Sequence, residues 1–217
     1  MQFFPSFIET ADQHIVLAIN GAHTPWLDCF LWMVTSPWPW IPFYILAIGL
    51  LLQCYRRQRS WRAAGQVILF IVLAVALSDL IASGIIKPLV MRPRPTHTAV
   101  LEDALHLHRY ADGSVYRGGA YGFVSSHAAT TTTIAILFFY FVKPFFQRHH
   151  LIAAGCTLYV LLICYTRIYL GAHFLLDIIG GMLTGIMVCL PVIFHYHKMV
   201  NTTAPHFLYF CDFKKST

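Results

Sequence analysis

In a chain of 217 residues, 58% hydrophobic side chains and only 11% charged ones exceed what an ordinary soluble domain can bury, so a polytopic membrane protein is expected. Fifteen Lys and Arg stand against nine Asp and Glu. In a membrane protein such an excess gathers in cytoplasmic loops, so no nucleic-acid partner is expected.

From residue 3 to 20, Phe3, Phe4, Phe7, Ile8, Ile15, Val16, Leu17 and Ile19 are interleaved with Glu9, Asp12, Gln13 and His14. Polar residues recur too often for a span, which predicts an interfacial amphipathic helix ending near Asn20-Gly21. Met1 to Thr10 has no Lys or Arg before its apolar residues and no small-residue cleavage site, so no removable signal peptide is expected. Residues 26 to 36 read as a short apolar helix, stopped by Ser36-Pro37-Trp38-Pro39-Trp40, whose prolines break it and whose indoles suit a membrane boundary. Five spans follow, at about 41–55, 63–86, 126–142, 151–170 and 173–194, with a short helix near 101–109 in the segment between the second and third. The six cysteines, at 29, 54, 156, 164, 189 and 211, contain no CxxC and lie mostly in apolar runs, so they give no disulfide framework.

Charge orients the bundle. Arg56, Arg57, Arg59 and Arg62 follow the first span without an acidic residue among them, Lys143, Arg148, His149 and His150 follow the third, and Lys198, Lys214 and Lys215 follow the fifth. By the positive-inside rule these are the inner ends, while residues 1–40, with Glu9, Asp12 and Asp28 but no Lys or Arg, lie outside. The expected fold is an all-α transmembrane bundle of five spans, N-out and C-in. A sixth span requires residues 14–36 to cross despite Asn20, Gly21, His23 and Asp28. No internal repeat appears, so one domain is expected over 1–217, divided into an N-terminal interfacial segment (1–25), a bundle (26–198) and a tail (199–217).

This topology gathers three polar clusters at the outer face. Lys87, Arg92 and Arg94 close the second span among Pro88, Pro93 and Pro95, which present the cations on a stiff backbone. Guanidinium forks suit phosphate oxygens, and Lys adds a point charge. Gly118 to His127 leads from a glycine-rich loop into the third span, with Ser125 a natural N-cap, Ser125 or Ser126 a hydroxyl donor to an oxyanion, and His127 a proton donor. Arg167, His173 and Asp177 interrupt an apolar run. A helix restarting after Gly171 puts His173 and Asp177 at i and i+4, where a carboxylate can hold one imidazole nitrogen and the new helix offers open amides to an anion. Asp79, midway along a span, is expected to face the bundle or a polar cavity.

Lys87, six residues, then Arg94-Pro95; Ser125-Ser126-His127; and Arg167, five residues, His173, three residues, Asp177: in this order the motifs resemble the three-part signature of the type 2 phosphatidic acid phosphatase and vanadium haloperoxidase superfamily. The resemblance covers about Trp26 to Phe194. It implies a phosphohistidine formed on His173, oriented by Asp177, with His127 protonating the leaving group and then activating water. It also implies phosphoryl binding by Lys87, Arg94, Ser125, Arg167 and the amide of Ser126. Val124-Ser125-Ser126-His127 departs from the usual Pro-Ser-Gly-His, and Thr166-Arg167 from the usual Ser-Arg, but neither change removes a reactive group. Arg92 lies outside the signature.

The expected activity is therefore a metal-independent lipid phosphatase of the bacterial inner membrane, its site facing the periplasm or exterior. It needs no cofactor, and no obligate protein partner is evident. Undecaprenyl diphosphate is the first substrate expected, with lipid A, phosphatidylglycerophosphate and phosphatidic acid as alternatives. No Cys or carboxylate is expected to complete a metal set around His106 and His108 or around His149 and His150, which read as interface or loop histidines. The competing class is a protein that binds or transports anionic lipids without chemistry, for which two placed imidazoles with an Asp behind one are superfluous.

Overall fold

Helix α1 (Ser6–Gly21) turns one face inward and buries Asp12, Val16 and Asn20, while Phe7 stays 72% exposed. Thr24 then accepts the Leu27 amide and Pro25 takes the first helical position, which starts α2 (Pro25–Thr35). Neither helix qualifies as a span. The computed structural model describes residues 4–58 and 60–203; Arg59, Cys211, Lys214, Lys215 and the tail beyond residue 203 lie outside the described residues.

Helix α3 (Ile41–Gln58) continues from a 3-10 turn at Trp38–Trp40, and α4 (Trp61–Asp79) starts where Ser60 accepts the Ala63 amide. The α4 axis continues through a π-helical stretch, Leu80–Ile86, into the short α5 (Lys87–Val90). Met91 ends α5 in the left-handed region (φ 54°), uncommon for a residue with a side chain, and Pro93 and Pro95 prevent resumption. Three more helices complete the bundle: α6 (Ser126–Val142), α7 (His149–Tyr169) and α8 (Leu175–Thr203).

Among the described residues, five helices are long and apolar enough to cross a membrane: Trp38–Arg57, Trp61–Val90, Ser126–Phe145, His149–Tyr169 and Leu175–Met199. These are the five spans expected from hydropathy, each reaching farther than its sequence bounds at one end or both except at residues 170, 173 and 174. Residues 101–109, expected to be helical, are not. Leu101 begins a set of turns, Asn20 exchanges two hydrogen bonds with the His106 backbone, and Arg109 pairs with Val115 across a small bridge. Local bonding stops at Leu105, whose amide donates to the Leu101 carbonyl, and from His106 on the peptide groups take long-range partners.

Helix α6 is the axle, packing against α3, α4, α7 and α8. Half of its membrane window is buried against 11% of α3's, so α6 has protein on most sides while α3 faces lipid. One apolar cluster, around Leu51, Val67, Leu137, Phe141 and Val188, fills the end near the Arg56–Arg57 loop. Another, with Val16, Ala128, Val160, Phe174 and Ile178, lies at the opposite end. The contact between α6 and α8 is close because α8 carries glycines along it. A Cβ on Gly181 would stand 2.4 Å from the Ser125 carbonyl oxygen, and one on Gly185 would stand 2.5 Å from that of Ala129.

Gly185→Ala is accordingly expected to push α8 off α6, at a cost of about 1–3 kcal/mol. A thermal melt in detergent reads this as a lowered midpoint. Gly155→Ala on α7, where nothing lies within 4 Å of the new carbon, is the control expected to melt no lower than the parent.

Candidate active site

The three clusters meet in a cavity of about 370 Å³ at the end of the bundle opposite the Arg56–Arg57 loop. Lys87, Arg94, Ser126, His127, Arg167 and His173 all line it. They come from α5, the extended segment after it, the first turn of α6, the last turn of α7, and the bend before α8.

That bend is made by local backbone chemistry. The α7 carbonyls of Thr166, Arg167 and Ile168 accept from Leu170, Ala172 and Gly171, and the Arg167 carbonyl accepts again from His173 at 3.2 Å. Gly171 provides the required positive φ of 64°. The chain thus reverses within five residues, leaving His173 1% exposed at the cavity wall. Asp177 lies one helical turn further along α8. Its Oδ2 is 3.4 Å from His173 Nδ1 and accepts the Phe174 amide at 3.0 Å. Among the described residues His173 Nδ1 has no hydrogen-bond partner, and Asp177 Oδ2 at 3.4 Å stands beside it. Burial, then the charges of Arg94, Arg167 and Lys87, hold the His173 imidazole well below its usual range, so the ring is neutral at neutral pH.

Each cation is held by neutral atoms. Lys87 Nζ donates to Ser126 Oγ at 2.6 Å, and that hydroxyl is also 2.7 Å from Ser83 Oγ. Arg94 donates to the carbonyls of Tyr121 and Ala172 at 3.1 and 3.3 Å. Arg167 donates to Thr35 Oγ1 and to the Tyr116 hydroxyl, both at 2.7 Å, and its buried Nε has no protein partner. Among the described residues no carboxylate forms an ion pair with any of the three, so their charge remains available to an anion. Asp79 is the one acidic residue in the lining and does face the polar cavity, as its position in the span predicts.

Several expectations need correction. Ser125 is fully buried, caps α6 by accepting from Ala128, and does not line the cavity; the hydroxyl that does is Ser126's. Two amides at the start of α8 are taken, Phe174 N by Asp177 and Leu176 N by Asp12. The start of α6, at Ser126 and His127, offers helix-terminal amides beside the cavity. Arg92 is buried outside the cavity, bridging Asp12 and Asp177 at 2.8 Å each. Sequence reasoning also missed Tyr116 and Thr130 in the lining; neither stands in a motif, and loop and helix bring them in.

His106 has a carboxylate neighbour after all: its Nε2 is 3.0 Å from Asp28 Oδ2, and His23 completes a group whose ligand atoms lie within 4.8 Å of one another. The two imidazoles are stacked, 3.8 Å apart and 6° from parallel. Parallel rings direct their lone pairs alongside one another, whereas a tetrahedral ion needs convergent ones. None of these three residues lines the cavity, and His108 stacks on Trp32.

Residues 67–201 match the PAP2 superfamily. A lipid A 4'-phosphatase of Porphyromonas gingivalis is 32% identical over 186 residues, covering 84% of this chain and 71% of that one. A second, from Bacteroides thetaiotaomicron, is 29% identical over 180 residues, with 82% and 74% covered. Among solved structures, the transmembrane PAP2 type phosphatidylglycerolphosphate phosphatase of Bacillus subtilis superposes with a TM-score of 0.64 at 19% identity, covering 89% of this chain and 88% of that one, a likeness of fold. LpxE of Aquifex aeolicus gives 0.57 at 26% identity, with 83% and 93% covered. A match over well more than half of the sequence, laid on five membrane-crossing helices, places this chain in the PAP2 superfamily as an integral-membrane lipid phosphatase, a phosphoric ester hydrolase.

Proposed function

We propose that the chain removes a phosphate monoester from a glycolipid of the lipid A type, through a covalent intermediate on His173. The observation that carries this reading is the convergence of two histidines and three cations without carboxylate partners on one cavity. Lys87, Arg94 and Arg167 hold the phosphoryl oxygens, assisted by the Ser126 hydroxyl and the first amides of α6. Ser125 supports that turn as its cap. Nε2 of His173 attacks phosphorus while Asp177 steadies the imidazole from the Nδ1 side. The bond from phosphorus to the lipid oxygen breaks, and His127 passes its proton to that oxygen. Water then attacks the phosphohistidine, His127 takes the water's proton, and inorganic phosphate leaves with His173 restored. The cationic cradle supplies the charge stabilisation that metal ions provide in other phosphatases, so no metal is required.

Both relatives are named lipid A 4'-phosphatase, which favours this substrate class over undecaprenyl diphosphate. Asp79 supports the same choice: beside the cradle its carboxylate repels a second phosphate but accepts hydroxyls from a sugar. The basic loops at the opposite end support a reading in which the cavity faces outward from a bacterial inner membrane. The whole chain acts as one domain, residues 1–25 lying at the interface.

Detergent-solubilised protein is expected to release phosphate from lipid A faster than from undecaprenyl diphosphate, and to keep that activity in EDTA. His173→Ala is expected to lose more than about 10³-fold in turnover and His127→Ala about 10²–10⁴-fold. Full turnover by His173→Ala ends the assignment of the nucleophile.

Asp79→Asn removes the negative charge facing a second phosphate. The ratio of diphosphate to monoester turnover is expected to rise at least about threefold, measured with both lipids in one detergent.

Because the folded state keeps His173 neutral, the unfolded chain binds a proton there that the folded chain does not once pH falls below about 6.5. Stability contributed by the neutral ring is therefore present above that pH and declines below it. The melting midpoint is expected to drop between pH 7 and pH 5 by more in the parent than in His173→Gln.

A further inference from the structure

The superfamily match begins at residue 67, yet α1, far upstream of it, reaches the carboxylate behind His173. Arg92 lies between two buried acids: its NH1 is 2.8 Å from Asp177 Oδ1 and its NH2 is 2.8 Å from Asp12 Oδ2. All three are removed from water, at 3%, 0% and 2% exposure for Arg92, Asp177 and Asp12. The rings of Phe4 and Phe174 cover the guanidinium at 5.0 and 4.3 Å. Asp12 Oδ1 also accepts the Leu176 amide at 3.3 Å, in the first turn of the helix that carries Asp177.

We propose that Asp12 is a positioning residue for the phosphatase reaction: through Arg92 and the Leu176 amide it fixes the Asp177 carboxylate, and so the orientation and charge of the pair that Asp177 forms with His173. This inference rests on the reading of His173 as nucleophile. Arg92 alone would take most of the Asp177 charge for itself. With Asp12 sharing the guanidinium, the buried set of two carboxylates and one cation keeps one net negative charge beside the imidazole. That charge opposes the cations facing His173 from every other side, namely Lys87 at α5, Arg94 in the segment after it and Arg167 at the end of α7; His127 faces it from α6. The device needs α1 to be docked, so the N-terminal interfacial helix is part of the active site and not only a membrane anchor.

Asp12→Asn keeps the shape and an acceptor but removes the charge. The expected result is a fall in kcat of about 10–100-fold with KM changed less than about threefold, as for other residues that orient a reacting group. The acid limb of the pH profile of kcat/KM is expected to move to lower pH, because His173 loses negative charge behind it. Asp12→Glu keeps the charge on a longer arm and is expected to retain the parent's acid limb with a reduced kcat. A lower melting midpoint with parental kcat and parental acid limb in Asp12→Asn would mean a purely structural ion pair and overturn the proposal. If Asp12→Asn does not fold, parental kcat in Asp12→Glu overturns it. His173→Ala, measured in parallel, separates the two readings: activity there defeats the nucleophile, whereas an inactive His173→Ala beside a fully parental Asp12→Asn defeats only the role of α1.

Discussion

Ser125 donates its amide to the Asp177 carbonyl at 2.9 Å. The two helices can come that close because Gly181 and Gly185 put no side chain between them. This contact brings the start of α6 beside the start of α8, and with them His127 and His173 to one cavity. Gly122 completes the junction: a Cβ there would meet Asp177 Oδ2 at 2.7 Å. The site is thus built where backbones touch, which fixes its geometry more tightly than side-chain packing alone can.

The electrostatics follow from how the charges are allotted. Apart from Asp79, which lines the cavity, several carboxylates are engaged away from the cradle: Asp177 and Asp12 by Arg92, Glu102 by Arg117, and Asp28 by Tyr169 and His106. Lys87, Arg94 and Arg167 are left with hydroxyls and carbonyls. Three cations without a paired carboxylate are costly for a fold, and under the proposed function a bound phosphate offsets that cost.

Hydropathy revealed the five spans because lipid imposes length and apolarity on any helix that crosses it. The three motifs were legible because Lys, Arg, His and Asp are expensive in apolar surroundings and stand out there. What the sequence left hidden depends on distant partners. Residues 101–109 have helix-compatible composition, but Asn20, some eighty positions earlier, captures the His106 backbone. Ser125 and Ser126 are adjacent hydroxyls, and only the capping geometry decides that the first turns inward and the second lines the cavity. Arg92 reads as one more cation in a basic stretch until the fold sets Asp12 and Asp177 on either side of it.

Arg167 donates to Thr35, the last residue of α2, and Asp12 sits in the middle of α1. Neither helix is long and apolar enough to count among the five spans, and both expose large apolar side chains, Phe7 and Trp26 at 72% each. Arg167, in the cavity wall, and Arg92, behind it, are therefore each held by an element outside the five spans. Removing residues 1–36 would strip Arg92 of one carboxylate and Arg167 of one hydroxyl while leaving the sequence of all five spans intact.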